Sequence, residues 1–221
     1  MLYIVSTPIG NLEDMTLRAI RILKEVDCIA AEDTRHSHIL LQKYEIKTQV
    51  LSYHSYSTTS RLEKIVEMLV AGKNVALISD AGTPGISDPA YTLVRAAIEA
   101  GIQIVPIPGA SAVLAALVMS GKPMHQFLYL GFLPIKKGRQ TLLKSLVAEE
   151  KTIVIYEAPH RILKTLGDLK EYFGDREISV CREITKIYEE TVRCKISEAI
   201  EHFTKKNPRG EFVLVIQGNR D

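Results

Sequence analysis

Five short apolar runs, "LYIVS", "DCIAAE", "QVLSY", "NVALIS" and "IQIVPI", recur through the first half of the chain with helical patterns between them. Runs of strand length alternating with helices are the pattern of βαβ units around a largely parallel sheet. The helical side is legible too. "LRAIRILKEV" follows the first run, and Ser60 and Glu63 make a capping-box pattern ahead of Leu62, Ile65, Val66, Leu69 and Val70, with Gly72 as the stop. In a parallel sheet all strands end on one edge. The segments "STPIGN", "AEDTR", "SYHS", "SDAGTPG" and "PGAS" are therefore expected together at the carboxyl edge, where open α/β sheets bind ligands.

After the apolar helix "SAVLAALVMSG" comes the polar break "KPMHQ", which suggests a domain junction near Lys122. The expected organisation is an N-terminal α/β domain over residues 1–121 and a C-terminal α/β domain over residues 122–221. The second half supplies strands in "FLYLGF", "KTIVIYEA", "EISVCREI", "YEETVRCKI" and "EFVLVIQG", with helices over 138–148 and 160–173 and another from Ser197. "EISVCREI" and "YEETVRCKI" are too close together for a crossover, so at least one pair is antiparallel and the second sheet is mixed. The fold class is thus α/β, with a parallel first sheet, a mixed second sheet and a ligand cleft expected between the domains.

Composition narrows the function. A chain of 221 residues with 46% hydrophobic and 24% charged residues is that of a soluble globular protein. A net charge of +2 makes no bulk electrostatic case for nucleic acid, so such a partner needs a local patch. Cys28, Cys181 and Cys194 stand apart with no C-x-x-C spacing, which suggests neither zinc nor disulfides and fits a reducing cytoplasm. "MLYIVSTPIG" lacks the features of a signal peptide, no stretch reaches membrane-span length, and no metal-ligand spacing occurs.

The most distinctive loop is "ISDAGTPGISDPA", between a strand and a helix. A glycine-rich strand-to-helix turn often cradles phosphate, but this one has neither Gly-Lys-Ser/Thr nor G-x-G-x-x-G, and Asp80 at the strand end would repel a pyrophosphate. A cationic or hydroxyl-bearing ligand fits better. A plain turn, with Asp88 as N-cap and Pro89 at the first helical position, accounts for its second half. It does not account for Asp80, Gly82 and Gly85 together.

These segments, with "PIPGASA", "GFLP", "YEAPHR", "CREITK" followed by "YEE", and "PRGEF", resemble the tetrapyrrole-methylase superfamily of S-adenosylmethionine (SAM) dependent methyltransferases. Within it the chain is most similar to the ribosomal small subunit methyltransferase I family, whose members methylate a cytidine ribose 2′-hydroxyl of 16S ribosomal RNA. The resemblance implies two α/β domains, SAM as cofactor, a cytoplasmic homodimer, and small-subunit ribosomal RNA as partner. Proteins of that branch usually continue several tens of residues beyond the "GEF" strand, whereas this sequence stops at Asp221; the expectation is an intact fold and SAM site with weaker docking of naked RNA.

The resemblance also implies site roles. Ser79, Asp80 and Thr83 line the cofactor site, and Pro8 and Gly10 shape a tight loop over it. Ser111 and Ala112 offer a hydroxyl and helix N-terminal amides, although Ser111 also suits a plain cap. In the second domain Tyr156, Glu157 and Ala158 are expected to face the cleft, with Pro159 opening the next helix, and Gly210 and Glu211 form the last cofactor-contacting turn. Phe132 packs on the cofactor or simply in the core, and His160 and Arg161 are as readily surface residues. "EDTRHS" reads as a solvated charged loop or as part of the reaction centre. Arg35 suits phosphate or ribose, and Asp33, His36 or His54 suits a departing proton. Arg182, Glu183 and Lys186 make a second candidate cluster.

The chemistry so implied is in-line displacement at the methyl carbon by a ribose 2′-oxygen, helped by alignment and by a base. Two alternatives stand beside it: a SAM-dependent methyltransferase acting on a small, tetrapyrrole-like molecule, and a non-catalytic SAM-binding module associated with the ribosome.

Overall fold

The computed structural model describes residues 1–54, 59–88 and 90–219. The chain divides into two compact units, Met1–Ser111 and Ala112–Asp221. The division falls one helix ahead of the polar break at Lys122, for a reason found in the second unit.

The first unit holds β1 (Leu2–Val5), α1 (Leu17–Glu25), β2 (Cys28–Ala31), α2 (Thr34–Lys43), β3 (Val50–Ser52), α3 (Thr59–Val70), β4 (Val75–Ile78), α4 (Ala90–Glu99) and β5 (Ile104–Ile107). All five strands run parallel, in the order β3-β2-β4-β1-β5. The central strands "CIAA" and "VALI" are buried at every position, because helices cover both faces. Ile29, Ala31, Ala76 and Ile78 pack with Ala19, Ile22 and Leu23 of α1 and with Leu40 and Leu41 of α2. Ala30, Val75 and Leu77 face the opposite way, toward Ile65 and Leu69 of α3 and Leu93 and Ala97 of α4. Each fully buried Leu or Ile is worth about 1.5–3 kcal/mol relative to staying exposed.

Local signals set the boundaries. The Thr16 hydroxyl caps α1 by accepting from the Ala19 amide at 3.1 Å. Helix α3 starts at Thr59, so Ser60 stands in its first turn rather than at its cap. Asp88 Oδ1 accepts from the amides of Gly85 at 2.8 Å and Ala90 at 2.9 Å, as a residue capping α4 does. The expected role of Pro89 lies outside the described residues.

The second unit holds α5 (Ala112–Ser120), β6 (Phe127–Phe132), α6 (Arg139–Ser145), β7 (Thr152–Glu157), α7 (Ile162–Phe173), β8 (Glu177–Arg182), β9 (Glu190–Lys195), α8 (Ile196–Lys205) and β10 (Phe212–Ile216). Its sheet has the order β6-β7-β10-β8-β9; only β6 and β7 pair in parallel. Leu143, Leu166, Leu169, Phe173, Ala199 and Phe203 of α6–α8 cover one face, over Ile153, Ile155, Ile178, Val180, Leu214 and Ile216. Helix α5 belongs to this unit because it packs on β8, β9 and β10: Ser179 Oγ donates to the Ser120 carbonyl at 2.8 Å, and Arg193 Nε to that of Met119 at 2.8 Å. Helix α7 begins two residues later than expected, with Arg161 at its N-cap and Pro159 outside it. The three cysteines are free.

Candidate functional site

In the first unit, the parallel order brings the ends of β1, β2, β3, β4 and β5 to one edge. Thr7 and Gly82 exchange backbone hydrogen bonds at 2.9 and 3.1 Å, forming a bridge between the loops that follow β1 and β4. Pro8, next to that bridge, is buried. The Thr7 hydroxyl donates to the Ser79 carbonyl at 3.1 Å, and the hydroxyls of Ser6 and Thr83 are hydrogen-bonded at 2.8 Å. Gly82 has φ +77°, a conformation that disfavours other residues. Gly109, after β5, meets a different restriction: a Cβ there would lie 2.9 Å from Ser6 Cβ. Ser6, Ser79, Thr83 and Gly109 thus form a tightly built floor of small residues.

Acids crown this floor. The Asp33 amide donates to Asp80 Oδ1 at 3.1 Å, joining the ends of β2 and β4, while Asp80 itself is exposed. Glu32 has its carboxyl pushed up from the usual 4.5, by burial first and then by the charges of Asp80 and Asp88, although the Asp80 amide opposes the shift. Three carboxylates within electrostatic reach of one another repel anions and attract a cation. Such an edge fits a sulfonium ligand and does not fit a pyrophosphate.

"EDTRHS" is not a loop. Asp33 caps α2, its Oδ1 accepting from the Arg35 amide at 2.8 Å, and Thr34, Arg35 and His36 make the helix's first turn. The Arg35 guanidinium reaches back to Asp33 at 2.9 Å. These bonds hold the Asp33 carboxyl down at about 2, which makes it a weak base. Arg35 is otherwise open, with 90% of its side chain exposed. Tyr53 is buried and His54 half-buried just past β3.

The second unit gathers its candidates on another sheet edge. The register sets Glu157 and Arg182 opposite Phe212, Glu190 opposite Arg182, and Phe132 opposite Tyr156. Tyr156 packs edge-on against Tyr129 and Phe132, with ring centroids 5.3 and 5.7 Å away. Burial, and then Tyr129, push its phenol up, while the amide of Val113 in α5 donates to it. The N-terminus of α5, where Ala112 lies, therefore meets Tyr156. Phe132 remains about half exposed, so it is not core.

Glu157 is inside the unit. Its Oε1 accepts from the Ala158 amide at 2.8 Å and pairs with Arg161 Nε at 3.2 Å, and its Oε2 accepts from the Thr165 hydroxyl. Arg139 Nη2 in turn donates to Thr165 Oγ1 at 2.8 Å, and Arg139 Nε pairs with Asp168 at 2.7 Å. Arg161 also donates to the Leu133 carbonyl at 2.6 Å, so it braces the turn and is not a surface residue. What Glu157 can offer a ligand is backbone.

Glu183, too, is engaged. A Cβ on Gly210, where φ is +88°, would lie 2.5 Å from Glu183 Cγ. Glu183 Oε1 accepts from the Glu211 amide at 3.0 Å and from Lys186 Nζ at 2.9 Å, and Lys186 also pairs with Glu211 at 2.7 Å. Burial pushes the Glu183 carboxyl up, but Lys186 and the Glu211 amide outweigh it and hold it below its usual value. The two turns are thereby locked together. Arg182 donates to the Arg209 carbonyl at 2.6 Å and pairs with Glu190 at 3.3 Å, so it too is a brace.

Sequence reasoning gave Glu32 no role of its own within "EDTRHS" and did not single out Ser6 or Gly109. Glu32 stood inside a charge run, and the close approach of Gly109 to Ser6 joins segments far apart in sequence. Among the described residues no group of three or more His, Cys, Asp or Glu could hold a metal ion, and no helix is long and apolar enough to cross a membrane.

Comparison with known proteins bears on this arrangement. The chain is 52% identical over 220 residues to a protein of Synechocystis sp. named ribosomal RNA small subunit methyltransferase I, covering 99% of this chain and 79% of that one. It is 50% identical to the Thermotoga maritima protein of the same name, covering 98% of each. A longer C-terminal part is therefore not constant among proteins so named. The fold matches the solved structure of the methyltransferase CobJ with a TM-score of 0.73 at 20% identity, over all of this chain and 96% of that one. Residues 1–200 match the family described as Tetrapyrrole (Corrin/Porphyrin) Methylases, and with relatives this similar along nearly its whole length the chain belongs to the tetrapyrrole methylase family.

Proposed function

We propose that this chain is a SAM-dependent methyltransferase that methylates the ribose 2′-hydroxyl of a cytidine in small-subunit ribosomal RNA. The observation that carries the reading is the 50% identity, over 98% of both chains, to a ribosomal RNA small subunit methyltransferase I. The acidic edge supports the cofactor: Ser79, Asp80, Thr83 and Glu32 would hold it, with Pro8 and Ser111 of the same unit, and Ala112, Tyr156, Ala158, Gly210 and the Glu211 backbone would contribute from the second unit. When bound, SAM supplies an electrophilic methyl group on a sulfonium centre.

The chain's own residues then have distinct tasks. Transfer discharges the sulfonium, so carboxylates near it favour the bound cofactor more than the transition state; Asp80 serves affinity rather than rate. The 2′-hydroxyl must lose a proton. Asp33, held at about 2, is poorly matched to that task, and Glu183 is occupied. His54 and Glu32, on the same edge, are the acceptors the arrangement favours. Arg35, open beyond its Asp33 contact, suits an RNA phosphate. We also propose a cytoplasmic homodimer.

A labelled-methyl assay on small subunits, naked ribosomal RNA and tetrapyrroles tests the reading. Label in the RNA of small subunits is expected. Label confined to tetrapyrroles transfers the assignment to small-molecule methylation, and tight SAM binding with no transfer to any substrate leaves a binding module.

A further inference from the structure

The turn between β8 and β9 carries two apolar side chains into solvent: Ile187 is 94% and Tyr188 72% exposed. The turn that presents them is held in several ways. Glu183 and Thr185 adopt the left-handed region, with φ of 51° and 67°, a conformation non-glycine residues keep only when their surroundings impose it. The Lys186 amide donates to the Glu183 carbonyl at 3.0 Å, the Glu189 amide to that of Lys186 at 3.1 Å, and the Thr185 amide to Glu189 Oε2 at 2.6 Å. Lys186 ties the same turn to Glu211. Ile184 of the same turn is buried and helps to anchor it, but core packing does not explain Ile187 and Tyr188, whose side chains stand in solvent.

The turn rises from the sheet edge that bears Tyr156, Ala158, Gly210 and Glu211, since Arg182 and Glu190, its two flanks, are paired with each other in register with Phe212 and Glu157. The neighbouring turn is joined to it through the Arg182 contact with the Arg209 carbonyl. Arg209 itself is exposed, and its guanidinium makes no hydrogen bond or ion pair among the described residues. An open aromatic ring on one turn, with an exposed guanidinium on the turn joined to it, is the chemistry that recognises single-stranded RNA: a base stacks on the ring while the cation meets phosphate.

We propose that Tyr188, supported by Ile187, is a stacking platform for an unpaired base of the RNA substrate, with Arg209 contacting its backbone. This inference rests on the ribosomal RNA reading above. Tyr188 acts on substrate binding and lies apart from methyl transfer itself.

The test compares wild type, Tyr188→Ala, Tyr188→Phe and Arg209→Ala on small subunits, with SAM affinity measured by calorimetry and folding by thermal melting. Tyr188→Ala is expected to raise KM for the subunit about tenfold, the order of one lost base stack, with kcat, SAM affinity and melting temperature unchanged. Tyr188→Phe should restore KM, because the ring and not the hydroxyl stacks. Arg209→Ala should lower the slope of RNA binding against log salt by about one. An unchanged KM in Tyr188→Ala, or an equal loss of SAM affinity, overturns the inference while an active wild type leaves the functional reading standing. A wild type that methylates no ribosomal RNA overturns both.

Discussion

The amide of Asp33 donates to the carboxylate of Asp80 across 3.1 Å, from the end of one central strand to the end of its neighbour. Asp80 is thus held in place by the backbone amide of the residue that caps α2, while its side chain stays exposed. Replacing Asp80 by Ala should weaken SAM binding by tenfold or more, in line with about 1.5–3 kcal/mol for a charged contact. Folding should survive, because water can take over the freed Asp33 amide. Calorimetric titration decides the matter, and an unchanged affinity in the folded variant removes Asp80 from the site.

Glu32 makes the edge pH-dependent. Its carboxyl is raised above 4.5 in the folded chain by burial and by Asp80 and Asp88, so the fold favours the protonated form. Its stabilising contribution is complete below about pH 4.5 and disappears as pH rises through the raised value. Glu32→Gln stays neutral throughout. Its stability relative to wild type should therefore grow between pH 4.5 and neutrality, as followed by urea denaturation, and a difference that stays flat with pH would count against the account.

Glu183 and Gly210 should show coupled effects. Gly210→Ala places a Cβ against Glu183 at a φ of +88°, and a loss of about 1–3 kcal/mol is expected. Adding Glu183→Ala removes the collision but not the backbone strain. The double variant should therefore lose less than the sum of the single ones, a departure from additivity visible in a denaturation cycle.

Much of this was legible in the sequence, and the exceptions have physical causes. Fully buried strands such as "CIAA" and "VALI" announce themselves because helices on both faces demand continuous apolar runs. The start of α2 was obscured because Asp33, Arg35 and His36 read equally as a solvated loop; only the Asp33 cap reveals the helix. The domain junction followed the polar break at Lys122, whereas the packing of α5 on β8 and β10 assigns that helix to the second unit. Within the candidate site, Asp80 and Gly82 were picked out by the turn pattern, and Ser6 and Gly109 were not. The engagement of Glu157, Glu183 and Arg182 was not, because their partners Thr165, Gly210 and Glu190 meet them only once the chain is folded.

Arg139 gives a test confined to the second unit. It is 5% exposed and bonded to Asp168, Thr165 and the Pro134 carbonyl. Arg139→Met should cost about 1–3 kcal/mol by leaving Asp168, Thr165 and the Pro134 carbonyl without their shared partner. Arg139→Lys should recover little of it, because an ammonium cannot reproduce the fork. A melting temperature close to wild type in either variant would show the network to be dispensable.

The identity of the methylated atom separates ribose from base methylation. Small subunits are incubated with the chain and labelled SAM, the RNA is digested to nucleosides, and the labelled product is separated and identified by mass spectrometry. The expected product is 2′-O-methylcytidine, formed on subunits by wild type and strongly reduced by Asp80→Ala at limiting SAM. A cytidine methylated on its base, or no labelled nucleoside from a chain that binds SAM tightly, would contradict the proposed function.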